Sequence, residues 1–299
     1  IIMTVYNGEA FLRETLDAVM ASTFSEWEMV IVNNVSTDGT QAILDDFDDP
    51  RIRIVYPETH GTFGDGIRLA YSNARGEYIA VQDGDDVSLP TRFAHQVAAL
   101  DADPKLGLVS GWYELIDQDS VKFEERHPPE THQELIDAYQ KWNPLAHSSY
   151  MYRRAASDQI DGYPVEYAYG PDFALCIRLI KAGWKVRVLP EVVLKLREHG
   201  GQTSLATNLS AMRGHDAVHL FREAYNLPGV SPNAKRLGQR YNAKRMIQYG
   251  FALMNENQWS KGIRQLISGL AHHPLYSLVY LGYRLLKILG LPVSDRRIM

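Results

Sequence analysis

The chain has 299 residues, which at roughly 150 residues per domain allows one large α/β domain or two smaller ones. Hydrophobic residues make up 45% and charged residues 22%, values that exclude disorder and collagen-like classes and permit a sizeable core. A single cysteine, Cys176, excludes an internal disulfide and a cysteine-based zinc site, and a net charge of −5 argues against a nucleic-acid partner.

The chain opens on Ile1-Ile2-Met3-Thr4-Val5, a strand already under way. No signal peptide is recognised and no initiator Met is present, so a few residues are expected ahead of Ile1. Gly8–Ser22 reads as a helix with Phe11, Leu12, Leu16, Val19 and Met20 on one stripe. Strands are expected at Trp27–Val32, Ile52–Val55 and Glu77–Val81, and helices at Thr37–Phe47 and Gly66–Ala74. Ser88 offers an N-cap, with Pro90 early in a helix through Leu100. This rhythm of strand and helix means βαβ units and a parallel sheet. Ligands bind such sheets outside the carboxyl ends of the strands. Those ends are Tyr6-Asn7-Gly8, Asn33-Asn34-Val35-Ser36 and Asp83-Gly84-Asp85-Asp86, which should converge on one edge.

Further along, Leu106–Ile116, His147–Tyr152 and Trp184–Leu189 read as strands, His132–Lys141 and Gly170–Ala182 as helices, and Arg197–Ser204 as a polar loop. The last third is mostly helical: about Ala206–Tyr225, about Ala234–Asn255, then a helix–turn–helix pair running to Pro274. Residues 205–299 hold 13 Lys/Arg against 4 Asp/Glu, a balance of +9, and residues 1–204 balance to −14. Domains are therefore expected at 1–204 and 205–299. The segment 275–292 is apolar almost all round, but Arg284 and Lys287 interrupt it, so nothing reaches the roughly 18 apolar residues of a spanning helix. It is either a helix docked on the protein or on a homodimer partner, or a peripheral anchor at a membrane surface.

Asp83-Gly84-Asp85-Asp86 is the strongest chemical signal. Three clustered carboxylates repel one another, and Mg²⁺ or Mn²⁺ would offset that cost while gripping a diphosphate. A solvated acidic turn ahead of a helix is the other reading. Asp45-Asp46-Phe47-Asp48-Asp49 reads as a solvated face.

Met3–Glu9, the run Val30–Thr40, and Ala74–Ile79 leading into the acidic cluster resemble, in order and spacing, family 2 of the inverting glycosyltransferases, which have the GT-A fold. The resemblance covers Ile1 to about Ser204. It implies a mixed, mainly parallel sheet flanked by helices, with the C-terminal helices as an appendage. It places Thr4, Tyr6, Glu9, Asn34, Arg68 and Asp83 at the nucleotide. Asn34 stands where the family's turn carries an acid that contacts the base. Asp83 and Asp85 fit Asp-X-Asp, with Asp83 toward the ribose and Asp85 on the metal. Asp86 and His147 fall at the donor or acceptor sugar. Asp172, in Gly170-Pro171-Asp172, falls on the general base; a helix cap is its simpler reading, and Glu166 is the fallback base. His199 falls on the metal or diphosphate, with Arg197 and Gln202 steadying the diphosphate.

The implied function is transfer of a sugar from a nucleoside-diphosphate donor, UDP-linked by expectation, to a hydroxyl on a glycan or lipid-linked acceptor. Cell-surface polysaccharide or glycan synthesis is the expected setting, and the cytoplasm or the inner face of its membrane the expected place. The alternatives are a non-catalytic nucleotide-sugar-binding subunit and a sugar-phosphate nucleotidyltransferase. The latter requires a basic Gly-rich loop after the first strand, which Tyr6-Asn7-Gly8-Glu9 lacks.

Overall fold

A computed structural model describes residues 1–201 and 210–288, with side chains to Leu286. Gln202 and the far end of the 275–292 segment lie outside the described residues. Chain contacts divide the protein into two compact units, Ile1–Leu135 with Pro144–Ala206, and Ile136–Asn143 with Thr207–Met299.

The first unit is built on strands β1 (Ile2–Val5), β2 (Met29–Asn33) and β3 (Ile52–Val55), paired in parallel. β2 is buried throughout, as a strand covered on both faces must be. Side chains alternate across this sheet. Met3, Val5, Met29 and Ile31 join the core with Leu12, Leu16 and Val19 of α1 (Leu12–Met20), Leu44 of α2 (Thr40–Asp45), and Phe93 and Leu100 of α4 (Arg92–Ala102). Thr4 points the other way, toward α3 (Phe63–Asn73). β4 (Tyr78–Ala80) continues the sheet through the parallel bridge Ile2↔Val81.

Beyond β4 the sheet becomes mixed. β8 (Met151–Arg153) lies between β4 and β6 (Leu106–Ile116), antiparallel to both. β9 (Lys185–Arg197) runs parallel to β6, and β5 (Val87–Ser88) and β7 (Lys122–Arg126) pair antiparallel with β9 and β6. β5 and β7 are too short and polar to give a periodic signal. Ser88 is a strand residue rather than an N-cap: its hydroxyl donates to Gln82 Oε1 (2.5 Å), and α4 starts after Thr91. His147–Ser149 forms a 3₁₀ turn ahead of β8, so the strand expected there begins only at Met151. β9 runs on to Arg197, eight residues past the expected end at Leu189. α3 begins three residues before the expected Gly66, because Thr62 and Asp65 form a reciprocal capping box. α5 (His132–Ala138), α6 (Arg154–Asp158) and α7 (Pro171–Lys181) complete the order up to residue 201.

The second unit contains α8 (Ala211–Tyr225), α9 (Pro232–Asn255), α10 (Trp259–His272) and α11 (Pro274–Ile288). Ser210 and Ser231 cap α8 and α9 through their hydroxyls. The segment Ile136–Asn143 is tied in by Gln140 Nε2, which donates to the Ala224 carbonyl (2.7 Å), and by the Ser231 N–H, which donates to Asp137 Oδ1 (2.9 Å).

Candidate active site

The ends of β1 and β2 are stitched together. The Asn7 N–H donates to Ser36 Oγ (3.0 Å), Asn7 Oδ1 accepts the Thr37 N–H (2.8 Å), and Glu9 Oε2 accepts the Gly39 N–H (2.6 Å). Val35 stands at φ 62, a left-handed conformation that costs a β-branched residue. The Asn33 and Asn34 side chains hold it there. Asn33 Oδ1 accepts the Ser36 N–H, and the Asn34 amide both accepts from and donates to the Gly61 backbone. The loop after β4 packs against the same edge, with the Thr15 hydroxyl donating to the Gly84 carbonyl (3.1 Å).

The nucleotide-directed residues take different positions around this edge. Tyr6 is 51% exposed with its ring 4.3 Å from that of His60, whose Nδ1 lies 2.9 Å from the Asn34 carbonyl. Glu9 is exposed at the same corner. Asn34 is buried and Thr4 is buried against Gly66. Arg68 is exposed on α3, near Asp65.

The acidic loop is joined to two histidines. His147 Nδ1 lies 3.3 Å from Asp83, and its Nε2 lies 2.9 Å from the Tyr163 hydroxyl. Desolvation works against charge on this imidazole, but Asp83 and then Asp172 outweigh it and raise its pKa. Asp83 is itself driven up by desolvation, yet His147, Ser148 and the buried Arg92 bring it below the ordinary carboxylate value. Desolvation and the neighbouring Asp83 raise Asp85, against the pull of His199. Asp86 is 3% exposed and rises well above the usual range through desolvation and its two acidic neighbours. Asp86 Oδ1 accepts the Arg197 N–H (2.8 Å).

Asp172 is half-buried in the first turn of α7. It is not the N-cap: that position is Gly170 at φ 83, followed by Pro171. Proline is preorganised for this place and has no N–H to leave unpaired. Glu166 is exposed and pairs with Arg178 of α7. Arg197 is fully buried, and its guanidinium donates to the carbonyls of Asp85 (2.9 Å) and Asp117 (3.0 Å), to Ser120 Oγ (2.9 Å) and to Glu14 (2.5 Å). It therefore braces the acidic loop from within, where a diphosphate contact was expected.

His199 Nε2 lies 3.0 Å from Asp85 Oδ2, and its ring packs on Phe11 (4.7 Å). Among the described residues no three His, Cys, Asp or Glu side chains are gathered as a ready ligand set. The Asp85–His199 pair nevertheless suits a divalent cation, joining a hard oxygen donor to a borderline nitrogen. Such ions bind through one or two protein groups plus substrate phosphates. Asp83 Oδ1, buried, 3.3 Å from His147 Nδ1 and without a hydrogen bond among the described residues, leaves further acceptor capacity in this loop.

Residues 1–160 match the family Glycosyl transferase family 2. EpsE of Bacillus subtilis, classed as a glycosyltransferase, is 30% identical over 203 residues, covering 66% of this chain and 72% of EpsE. The chain belongs to glycosyl transferase family 2. A glycosyltransferase of Methanocaldococcus jannaschii is 25% identical over 202 residues, 66% of this chain and 69% of its own. Among solved structures, S. aureus TarS 1-349 in complex with UDP-GlcNAc aligns with a TM-score of 0.67 at 18% identity, covering 91% of this chain and 80% of that one. The Pyrobaculum calidifontis mannosyltransferase PcManGT in complex with GDP-Man and Mn²⁺ aligns at 0.59 and 20% identity, covering 95% and 79%. The protein is thus a glycosyltransferase with the GT-A fold: a mixed sheet flanked by helices, followed by a helical C-terminal region. His60, Phe63, Ser148 and Tyr163 of this glycosyltransferase were not singled out from sequence. His60 and Tyr163 lie in loops, Ser148 in a short 3₁₀ turn and Phe63 at the first position of α3, places that carry no periodic signal of their own, and only their packing on Tyr6, Asp83 and His147 reveals them.

Proposed function

We propose that the protein is an inverting glycosyltransferase that moves a sugar from a nucleoside-diphosphate donor, UDP-linked in our reading, to an acceptor hydroxyl. The observation that carries this is the contact of His147 with Asp83, at 3.3 Å, on an imidazole whose charge Asp172 also favours. In our reading the acidic loop and the α7 N-terminus serve one centre.

In this reading the nucleoside lies along the β1 and β2 ends, with its base beside the Tyr6–His60 pair. Asn34 holds the Gly61 wall, Thr4 and Glu9 support the floor and corner, and Arg68 reaches in from α3. Asp83 meets the ribose. Asp85 and His199 would hold Mn²⁺ or Mg²⁺, which supplies positive charge to the departing diphosphate. Asp172 takes the proton of the acceptor hydroxyl as its oxygen attacks the anomeric carbon; the bond to the diphosphate breaks on the opposite face. His147, held by Tyr163 and Asp83, lines the sugar site, and Asp86 fixes the loop through Arg197. A glycan or lipid-linked acceptor in cell-surface polysaccharide synthesis fits this chemistry.

Donor binding by calorimetry, followed by turnover with Mn²⁺ or Mg²⁺, tests the reading. Asp172→Asn should lower kcat by about 10²–10⁴-fold with donor affinity retained. Asp85→Ala should abolish the response to added metal. Full activity in either variant would remove that residue's assignment, and donor binding without turnover in the unaltered protein would make it a binding subunit.

A further inference from the structure

α11 turns its polar side inward. Ser277 is fully buried and its hydroxyl donates to the Gly269 carbonyl of α10 (2.8 Å). Tyr280 is buried as well, and Arg284 lies over the Phe251 ring of α9 (5.1 Å). The outward side carries Leu275, Leu278, Val279, Leu285 and Leu286, each between 40% and 74% exposed. At about 100° per residue these five share one arc of roughly 120°, and no charged side chain among the described residues interrupts it. α10, joined to α11 through His273, adds a second stripe: Trp259, Ile263 and Ile267 at i, i+4 and i+8, 49–59% exposed. Exposed Arg264 and Lys261 follow on the polar side of that stripe.

Apolar patches of this kind mark an interaction surface, and charge selects the occupant. α9 exposes Lys235, Arg236 and Arg240 and α10 exposes Lys261 and Arg264, with no Asp or Glu in the sequence of α9, α10 or α11. A second copy meeting this face symmetrically would set like charges against like. An anionic lipid surface satisfies both features: the leucine arc enters the boundary between headgroups and acyl chains, and the cations meet lipid phosphates. No helix among the described residues is long and apolar enough to cross a membrane, so the contact is interfacial. We propose that the α10–α11 face docks the protein on an anionic bilayer surface. This is independent of the reaction proposed above.

Flotation of the full chain with vesicles tests it. Phosphatidylglycerol and phosphatidylcholine in about a 3:7 ratio, at roughly 0.1 M salt, should carry the protein upward. Phosphatidylcholine alone should bind at least about tenfold less. The double variant Leu278→Gln/Leu285→Gln, altered only at exposed positions, should lose about tenfold in binding with an unchanged melting curve. Lys261→Gln/Arg264→Gln should lose the salt-sensitive part and provides a check that leaves the apolar arc intact. The proposal is overturned by equal recovery in the soluble fraction with both vesicle types, by equal binding to phosphatidylcholine alone, or by both double variants binding as the unaltered chain does. A dimer in sedimentation that Leu278→Gln/Leu285→Gln dissociates would assign the face to self-association and overturn it as well.

Discussion

His132 shows how one half-buried ring can tie stability to pH. Its Nδ1 accepts the Val186 N–H (3.1 Å), so the native fold requires a lone pair there. Desolvation, followed by the nearby Lys185, lowers its pKa below 6.5. The unfolded chain therefore takes up a proton at this site at higher pH than the native chain does. Its stabilising effect is complete above pH about 6.5 and is lost as pH falls through that value toward the lower folded pKa. His132→Asn keeps an acceptor for Val186 but cannot titrate. Its urea midpoint should fall less between pH 7 and pH 5 than that of the unaltered protein. An identical fall would mean that other groups set the acid limit. Asp83, Asp85, Asp172 and His199 could be singled out from sequence because these positions lie in runs with recognisable spacing. His132 and Tyr163 lie in no such run, and only the fold reveals their partners.

At the scale of elements, glycine decides how closely helices approach. A Cβ on Gly66 of α3 would fall 2.8 Å from Thr4 Cβ of β1 and closer still to Thr4 Oγ1. Gly66→Ala should therefore destabilise the protein by about 1–3 kcal/mol and weaken donor binding by displacing Thr4 and α3 together. In the second unit, a Cβ on Gly262 of α10 would fall 2.7 Å from the Gly250 carbonyl of α9, and one on Gly250 would fall 2.9 Å from the Gly262 carbonyl. Gly262→Ala should cost a similar amount in thermal unfolding. If both alanine variants melted like the unaltered protein, these helices would have slack that the contacts deny. The parallel half of the sheet was legible because β1, β2 and β3 alternate with amphipathic helices. β5, β7 and β8 were missed or shifted because two to five residues cannot establish a period and their pairing partners are distant in sequence. β9 was read too short because Pro190 and the alternating charges after it resemble a loop, whereas β6 holds that stretch in register as far as Arg197.

For the molecule as a whole, the net charge of −5 conceals a separation of sign. The first 204 residues balance to −14 and the remainder to +9. A surface of this kind binds through local fields rather than through its total charge. At pH 7 and low salt the protein should be retained on a sulfonate cation exchanger despite its net negative charge. Replacement of the exposed Lys235, Arg236 and Arg240 of α9 by Gln should shift elution to lower salt. Passage of the unaltered chain without retention would show that its acidic part governs its behaviour. This polarity was legible from composition alone. Which cations reach solvent was not, because Arg245 lies beneath the Phe221 ring and burial pushes its pKa down to about 9.

Arg197 has a consequence for redesign. One guanidinium holds the acidic loop at Asp85, the hairpin tip at Asp117 and Ser120, and α1 at Glu14. The hairpin tip, at the surface and far along the chain from the chemistry, looks like a free site for grafting loops from relatives with other acceptors. Such a graft would change the geometry around Asp85 unless it restored the three oxygens that Arg197 binds there, the Asp117 and Gln118 carbonyls and Ser120 Oγ. Glu14 and the 117–120 turn are therefore best exchanged as one inherited block. Chimeras that separate them should lose rate even when the new loop itself is well chosen.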